Sequence, residues 1–282
     1  MSEQVKRTTA RRYDALWGRG DPTQTPPEYH YDRVSRLLPA GHLTGRLLDA
    51  GCGKGIDTLR LAERSGHSVV GIDLSSAGVQ QARLRTRHLP NALIVRADLE
   101  CLPLQGAQFD FVYSYGVLHH LPHPDAALAE LVRVLKPGGL LAVYVYEDFS
   151  SRSWIERFFL WAANQLRHVT VRMPPRWLFR LCQLLSPLVF LVCTVPAMLL
   201  ARVPFLEPLS RRIPYHHARR PLRLAPDLYD RLATPIERRY SRPAVERWLA
   251  GMGLTGVQVH PLRGWVGYGR KISGTVAIME GA

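Results

Sequence analysis

The sequence predicts an α/β protein, a mostly parallel sheet with helices on both faces and a helical insertion late in the chain. Two features predict it. Between residues 47 and 147 short apolar runs alternate with helical stretches, and the runs are apolar throughout rather than at every second position. Such runs are strands covered on both faces. The first run also closes on a glycine-rich turn that opens a helix, an arrangement found at the carboxyl edge of open α/β sheets.

The elements follow in order. Leu47-Leu48-Asp49-Ala50 is the first strand, and 68–72, 92–95, 109–113 and 140–146 are the next four. Helical patterns lie between them at about 54–65, 75–88 and 124–136, the last stopped by Pro137-Gly138-Gly139. After Ser241 a helix at about 243–251 precedes strands near 256–259 and 275–279. Residues 151–240 break the rhythm and are read as an insertion between the fifth and sixth strands. The expected organisation is an N-terminal helical segment (1–45), a core (46–150), an apolar, basic insertion (151–240) and a C-terminal part completing the core (241–282).

The chain has 282 residues, 46% of them hydrophobic, and a net charge of +14. This supports a packed core and excludes wholesale disorder. The charge is uneven: +2 over 1–45, −1 over 46–150, +10 over 151–240 and +3 over 241–282. The polar start, Met1 to Arg12, shows no secretory pattern, and Cys52, Cys101, Cys182 and Cys193 have no metal or disulfide spacing. The expected location is cytoplasmic, with a peripheral position on the inner face of the cytoplasmic membrane as a variant.

The turn reads Asp49-Ala-Gly51-Cys-Gly53-Lys-Gly55. Gly51 and Gly53 let the backbone turn tightly and approach a ligand. The helix N-terminus that follows offers free N–H groups to a carboxylate, and Asp49 places an acid where an ammonium would lie. Asp73, 22 residues after Gly51, ends the second strand, where an acid accepts from ribose hydroxyls. Asp98-Leu99 ends the third, where a carboxylate and a backbone N–H suit an adenine. Each element alone is weak; in order, at three successive strand ends, they are specific.

With Gly71-Ile-Asp-Leu-Ser75, Ala97-Asp-Leu99, the run from Phe109 to Leu121 and Leu135-Lys-Pro-Gly-Gly-Leu140, the sequence resembles the class I S-adenosyl-L-methionine-dependent methyltransferases, in the broad group related to ubiquinone/menaquinone-type methyltransferases. The resemblance spans about residues 45–148, with a weaker echo after 241. It implies a Rossmann-like, seven-stranded sheet with one reversed edge strand, and S-adenosyl-L-methionine as methyl donor. It implies further that Asp49, Gly51 and Gly53 hold the methionine part, Asp73 with Leu74 the ribose, and Asp98 with Leu99 the adenine. Tyr115, in the loop after the fourth strand, falls beside the transferable methyl. A nicotinamide-dependent oxidoreductase is the alternative on this fold, but its third glycine is expected one residue later than Gly55, where Ile56 stands.

His119 and His120 in the same loop are the candidate general bases, since imidazole titrates near neutral pH; packing or capping of the next helix is the bland reading of either. Tyr144, Tyr146 and Glu147 are further candidates to face the substrate. Related quinone O-methyltransferases carry metal-binding carboxylates in this loop; this chain has Gly116 and His119 there, so no metal is expected. Nucleic acid is not an expected partner. The amino-methylating [DNS]-P-P-[YFW] segment is replaced by Ser114-Tyr115-Gly116-Val117, and no Pro-Cys nucleophile is present.

Residues 181–201 are 21 consecutive uncharged residues between Arg180 and Arg202. As a helix they would reach about 31 Å, enough for a bilayer core. Strands precede and follow them in one sheet, so a single crossing is not expected. Two readings stay open: an element lying in an anionic membrane surface, and a soluble lid. Both point to a small acceptor that is apolar or lipid-like, with a hydrophilic natural product as the alternative.

Overall fold

The computed structural model describes residues 2–18, 29–210, 213, 215 and 220–273. The chain divides by contact into two units, Met1–Ser151 with Ile236–Ala282, and Arg152–Pro235. Among the described residues two helices, α1 (Ser2–Trp17) and α2 (His30–Ser35), precede the sheet. There follow β1 (Leu47–Ala50), α3 (Ile56–Ser65), β2 (Val69–Asp73), α4 (Ser76–Thr86), β3 (Ala92–Arg96), β4 (Phe109–Tyr115), α5 (Pro124–Val134) and β5 (Leu135–Val145). The second unit holds α6 (Trp154–Thr170), α7 (Pro175–Val189), α8 (Val195–Leu200), α9 (Glu207–Ser210) and α10 (Ala225–Ala233). The first unit resumes with α11 (Arg242–Gly251), β6 (Leu254–Pro261) and β7 (Trp265–Lys271).

The described strands form one seven-stranded sheet in the order β3-β2-β1-β4-β5-β7-β6. The first five are mutually parallel, and β7 runs antiparallel to both β5 and β6. This is the expected Rossmann-like α/β sheet, but the reversed strand lies between β5 and β6 rather than at the edge.

Alternate residues of β1 enter different cores. Leu48 and Ala50 pack with Val112, Leu141, Leu128 and Leu131. Leu47 packs with Phe111, Tyr31 and Leu61 on the other face. Burial on both sides leaves little room for alternation, so the central strands β1 and β2 appear in sequence as continuous apolar runs.

The seventh described strand is β7 (Trp265–Lys271), which the sequence reading did not mark; the strand expected at 275–279 lies outside the described residues. Gly264, Gly267 and Gly269 give β7 the look of a loop. Gly267 is needed because α11 presses on the strand there: a Cβ would stand 2.7 Å from Leu249 Cδ1 and 3.0 Å from Val245 Cγ1. The helix expected to run to residue 136 ends at Val134, and β5 starts at Leu135. The Pro-Gly-Gly segment lies within β5, and the register against β4 shifts between Phe109 and Phe111 to absorb it.

In the second unit, α6 opens on a capping box between Ser153 and Glu156. It is tied to α10 by Thr170 Oγ1, which donates to the Leu232 carbonyl at 2.8 Å, and by Arg167 Nε, which donates to the Arg231 carbonyl at 3.0 Å. A π-helical turn, Phe190–Thr194, joins α7 to α8.

Gly267→Val should lower the urea midpoint, costing about 1–3 kcal/mol through overpacking. Gly251→Ala, with nothing within 4 Å of its Cβ, should leave the midpoint unchanged or raise it. Equal midpoints for Gly267→Val and wild type would refute the packing of α11 on β7.

Candidate active site

The sequence-predicted residues meet at the carboxyl ends of β1, β2, β3 and β4. After β1 the amides of Gly51 and Cys52 both donate to the Ile72 carbonyl, at 2.7 and 2.9 Å. Gly51 has φ +85°, and a Cβ there would overlap the Val117 methyl groups. A side chain is therefore excluded twice, by backbone conformation and by space.

Asp49 is 3% exposed and accepts a hydrogen bond from Thr58 Oγ1 at 2.5 Å. Burial, and then the neighbouring Asp57 carboxylate, push its pKa up to about 8 against the pull of the Thr58 hydroxyl. Asp73 accepts from the Gly53 amide at 2.9 Å and from the Ser75 amide at 2.8 Å. Burial lifts it to about 6, opposed by those amides. A carboxylate offers about four acceptor positions, so two amides leave room for hydroxyl donors. Leu74 is half-buried, and its carbonyl accepts from Arg96 Nε at 3.0 Å.

Asp98 is held on both oxygens: Lys6 Nζ reaches Oδ2 at 2.6 Å, and the Glu100 amide donates to Oδ1 at 2.9 Å. Leu99 beside it is buried. Tyr115, at the end of β4, stacks between His30 at 4.5 Å and Tyr144 at 4.2 Å.

The two histidines occupy one turn, Leu118–His120, in different states. His120 Nδ1 lies 2.8 Å from the Ile236 carbonyl. A carbonyl only accepts, so Nδ1 carries the hydrogen and, in the neutral ring, Nε2 keeps its lone pair. His119 is fully buried, with its ring centroid 4.0 Å from that of Tyr146. Neither of its ring nitrogens has a hydrogen-bond partner among the described residues. Burial, then the nearby His120 and Arg239, hold its pKa well below the ordinary value, so the ring is neutral at pH 7.

Helix α1 crosses this same edge, which the sequence reading did not foresee. Lys6 pairs with Asp98 and Glu100. Asp14 accepts from Ser75 Oγ at 2.5 Å and from the Ala77 amide at 2.9 Å, at the start of α4. The Trp17 ring lies against Gly53, where a Cβ would come within 3.2 Å of it, and against Gly78. Tyr13 stacks on Trp17 at 4.7 Å and meets His120 edge-on at 6.5 Å. Residues 6, 13 and 17 share one helical face; that spacing was the available signal.

The residues fit an amino-acid-bearing nucleoside. A glycine turn admits backbone approach, two buried acids with raised pKa values favour a cationic or hydroxyl-rich partner, and a third acid lies at the next strand end.

Residues 48–143 match the methyltransferase domain family. Among curated relatives, 24-methylenesterol C-methyltransferase 2 of Oryza sativa subsp. japonica is 39% identical over 122 residues, 41% of this chain and 32% of that protein. The phthiotriol/phenolphthiotriol dimycocerosates methyltransferase of Mycobacterium leprae is 38% identical over 120 residues, 42% of this chain and 44% of that protein. The structure of a methyltransferase from Methanosarcina mazei, dependent on S-adenosylmethionine, covers 86% of this chain and 99% of its own at TM-score 0.50 and 19% identity, a likeness of fold. The chain spans between 28% and 66% of the length of the curated relatives it matches. Residues 48–143 are therefore a domain of the class I methyltransferase family, and S-adenosylmethionine is the cofactor of that domain.

One test concerns His119. Its folded-state pKa lies below the ordinary 6.5, so as pH falls through about 6.5 the unfolded chain binds a proton that the folded chain does not. Stability is then lost toward acid by about 1.4 kcal/mol per pH unit from this group. His119→Phe keeps a ring against Tyr146 and removes the titration. Its stability relative to wild type should rise between pH 7.5 and 5.5 in urea unfolding. A difference independent of pH would contradict the buried, neutral state.

Proposed function

We propose that the protein is a methyltransferase that moves a methyl group from S-adenosylmethionine to a small apolar or lipid-like acceptor. The observation that carries the donor side is the convergence of Asp49, Gly51, Gly53, Asp73 and Asp98 on one sheet edge. The acceptor class is supported by the aromatic rings beyond them, Tyr115, Tyr144 and Tyr146, and by relatives named for a sterol and for a dimycocerosate.

Asp49 pairs with the donor's ammonium, Asp73 accepts from its ribose hydroxyls with Leu74 beside it, and Asp98 with the Leu99 amide meets its adenine. When bound, S-adenosylmethionine supplies a methyl group on a positive sulfonium, ready for in-line attack. Tyr115 borders the reacting region, and Tyr13 and Trp17 exclude water from the edge. His120 takes the acceptor's proton on Nε2, the nitrogen that the Ile236 carbonyl leaves free. His119, neutral and buried, positions its neighbours.

Calorimetry with the demethylated product should show binding to wild type and none to Gly51→Val. Asp73→Ala should weaken binding by roughly 1.5–3 kcal/mol. Because Asp49 titrates near 8 without ligand, pairing with an ammonium at pH 7 should release a proton. Affinity should then rise with pH toward 8, and the measured enthalpy should depend on the buffer's ionisation enthalpy. Asp49→Asn should remove that dependence. Absence of binding to the folded wild type would refute the donor assignment.

With labelled donor and a fractionated extract, label should enter the organic phase; label confined to the aqueous phase would replace the lipid-like acceptor with a hydrophilic one. His120→Ala should keep product binding while losing roughly a hundredfold or more in turnover. Unchanged turnover would remove His120 from proton transfer.

A further inference from the structure

The unit Arg152–Pro235 turns large apolar side chains to its outside. On α7 the buried positions are Leu178, Cys182 and Ser186. At 100° per residue, Trp177, Leu184 and Leu188 fall on roughly the opposite side, and they are exposed, Leu184 at 76%, as is Leu191 in the π-turn that follows. On α6, Trp154, Phe158 and Trp161 share another outward face, with Trp154 76% exposed. A helix whose inner stripe already fills a core and whose outer stripe is also apolar has a second apolar environment to meet.

The charge on this unit says which. Residues 152–235 hold thirteen basic side chains, all arginine, against four acidic ones, a net charge of +9. Arg157, Arg172, Arg176, Arg180, Arg202 and Arg220 are exposed. Arg180 lies over the Trp177 ring, 5.1 Å from its centroid, so one outward face carries a cation and an aromatic together. Apolar side chains, tryptophans and guanidinium groups exposed on these helices match the layered chemistry of an anionic bilayer surface, acyl chains beneath headgroups. A complementary protein would need both an apolar groove and a matching acidic rim.

The geometry separates lying on the membrane from crossing it. Pro175–Leu200 is a 26-residue run, long and apolar enough to span. A single crossing would leave the chain on the far side, yet β5 precedes this unit and β6 follows it in one sheet. A return needs about 20 apolar residues as helix. The described helices after it, α9 and α10, have 4 and 9 residues. The run is also interrupted by Pro187 and the π-turn Phe190–Thr194.

We infer that residues 152–235 form a monotopic membrane-docking surface that lies in the plane of an anionic lipid leaflet, with α6 and α7 to α8 as its contact elements. Membrane docking is tested without methyl transfer. Purified full-length protein is floated with phosphatidylcholine vesicles, with and without phosphatidylglycerol, at about 0.05 M and about 0.5 M salt, where screening differs severalfold in length. Co-flotation is expected with the anionic vesicles at low salt, falling partly at high salt, and is weaker throughout with neutral vesicles.

The triple variant Leu184→Ser, Leu188→Ser, Leu191→Ser should lose the salt-resistant part, roughly a hundredfold or more in partition. Its thermal midpoint and its binding of the demethylated donor product should stay as in wild type, because these side chains are exposed. The triple variant Arg176→Glu, Arg180→Glu, Arg202→Glu should lose the salt-sensitive part, also roughly a hundredfold. Wild type that stays unbound to anionic vesicles at low salt overturns the inference. So does a serine variant that floats as before, or one with a lowered midpoint, which would mark the face as covered within the protein. Light scattering that shows a wild-type dimer lost in the serine variant, without flotation of either, assigns the face to a second copy instead.

Discussion

The carboxyl edge is organised by how little room the chain has at the end of β1. That strand is buried on both faces and paired with β2 on one side and β4 on the other, so the chain must turn within the thickness of the sheet. The Gly51 and Cys52 amides fold back onto the Ile72 carbonyl, and the Val117 methyl groups fill the volume a side chain would need. The same tightness takes Asp49 and Asp73 out of water at neighbouring strand ends. Burial raises both pKa values above the carboxylate range, with the Asp57 carboxylate adding to the rise at Asp49 and the Asp14 carboxylate at Asp73. The paired buried acids thus arise directly from the backbone constraint, in a place where a cation would offset their lost solvation.

Helix α1 answers the polar groups of that edge with groups of its own. Lys6 neutralises Asp98 and Glu100, and Asp14 receives the Ser75 hydroxyl and the Ala77 amide. Trp17 and Tyr13 cover the surface left by Gly53 and Gly78 and extend it toward His120. Lys6 and Asp14 thereby tie α1 to the ends of β3 and β2 across long stretches of sequence.

Strands β1, β2, β4 and most of β5 were legible in the sequence because burial on both faces leaves them largely apolar; β3, an edge strand with Leu93 exposed, was legible from its apolar residues alone, and the order of acids and glycines marked the carboxyl edge. Strand β7 was not legible. Its interior glycines serve contacts with α11 and β6 that are made across the chain, and locally they read as turns. The part played by α1 was hidden for the same reason: Lys6 meets Asp98 across 92 positions of sequence. The two histidines were visible as a pair but not as opposites, since their difference rests on the Ile236 carbonyl beside one and on complete burial of the other.

The long insertion is tolerated because the first unit closes its own seam behind it. Tyr240 donates its amide to the Tyr146 carbonyl at 2.9 Å, and Asp148 donates to the Tyr240 carbonyl at 3.0 Å. Arg239 Nη1 adds a bond to the Glu147 carbonyl at 2.8 Å and places its guanidinium over the Tyr146 ring. The returning strand of chain also supplies the Ile236 carbonyl that sets the His120 tautomer. With the two ends clipped, the length between them matters little, since each doubling of a loop adds only about 0.6 kcal/mol of closure cost. The clip thus joins two properties that sequence alone keeps separate. It lets residues 152–235 take an apolar, arginine-rich character unlike that of the core, and it holds the state of a candidate catalytic histidine independent of that character.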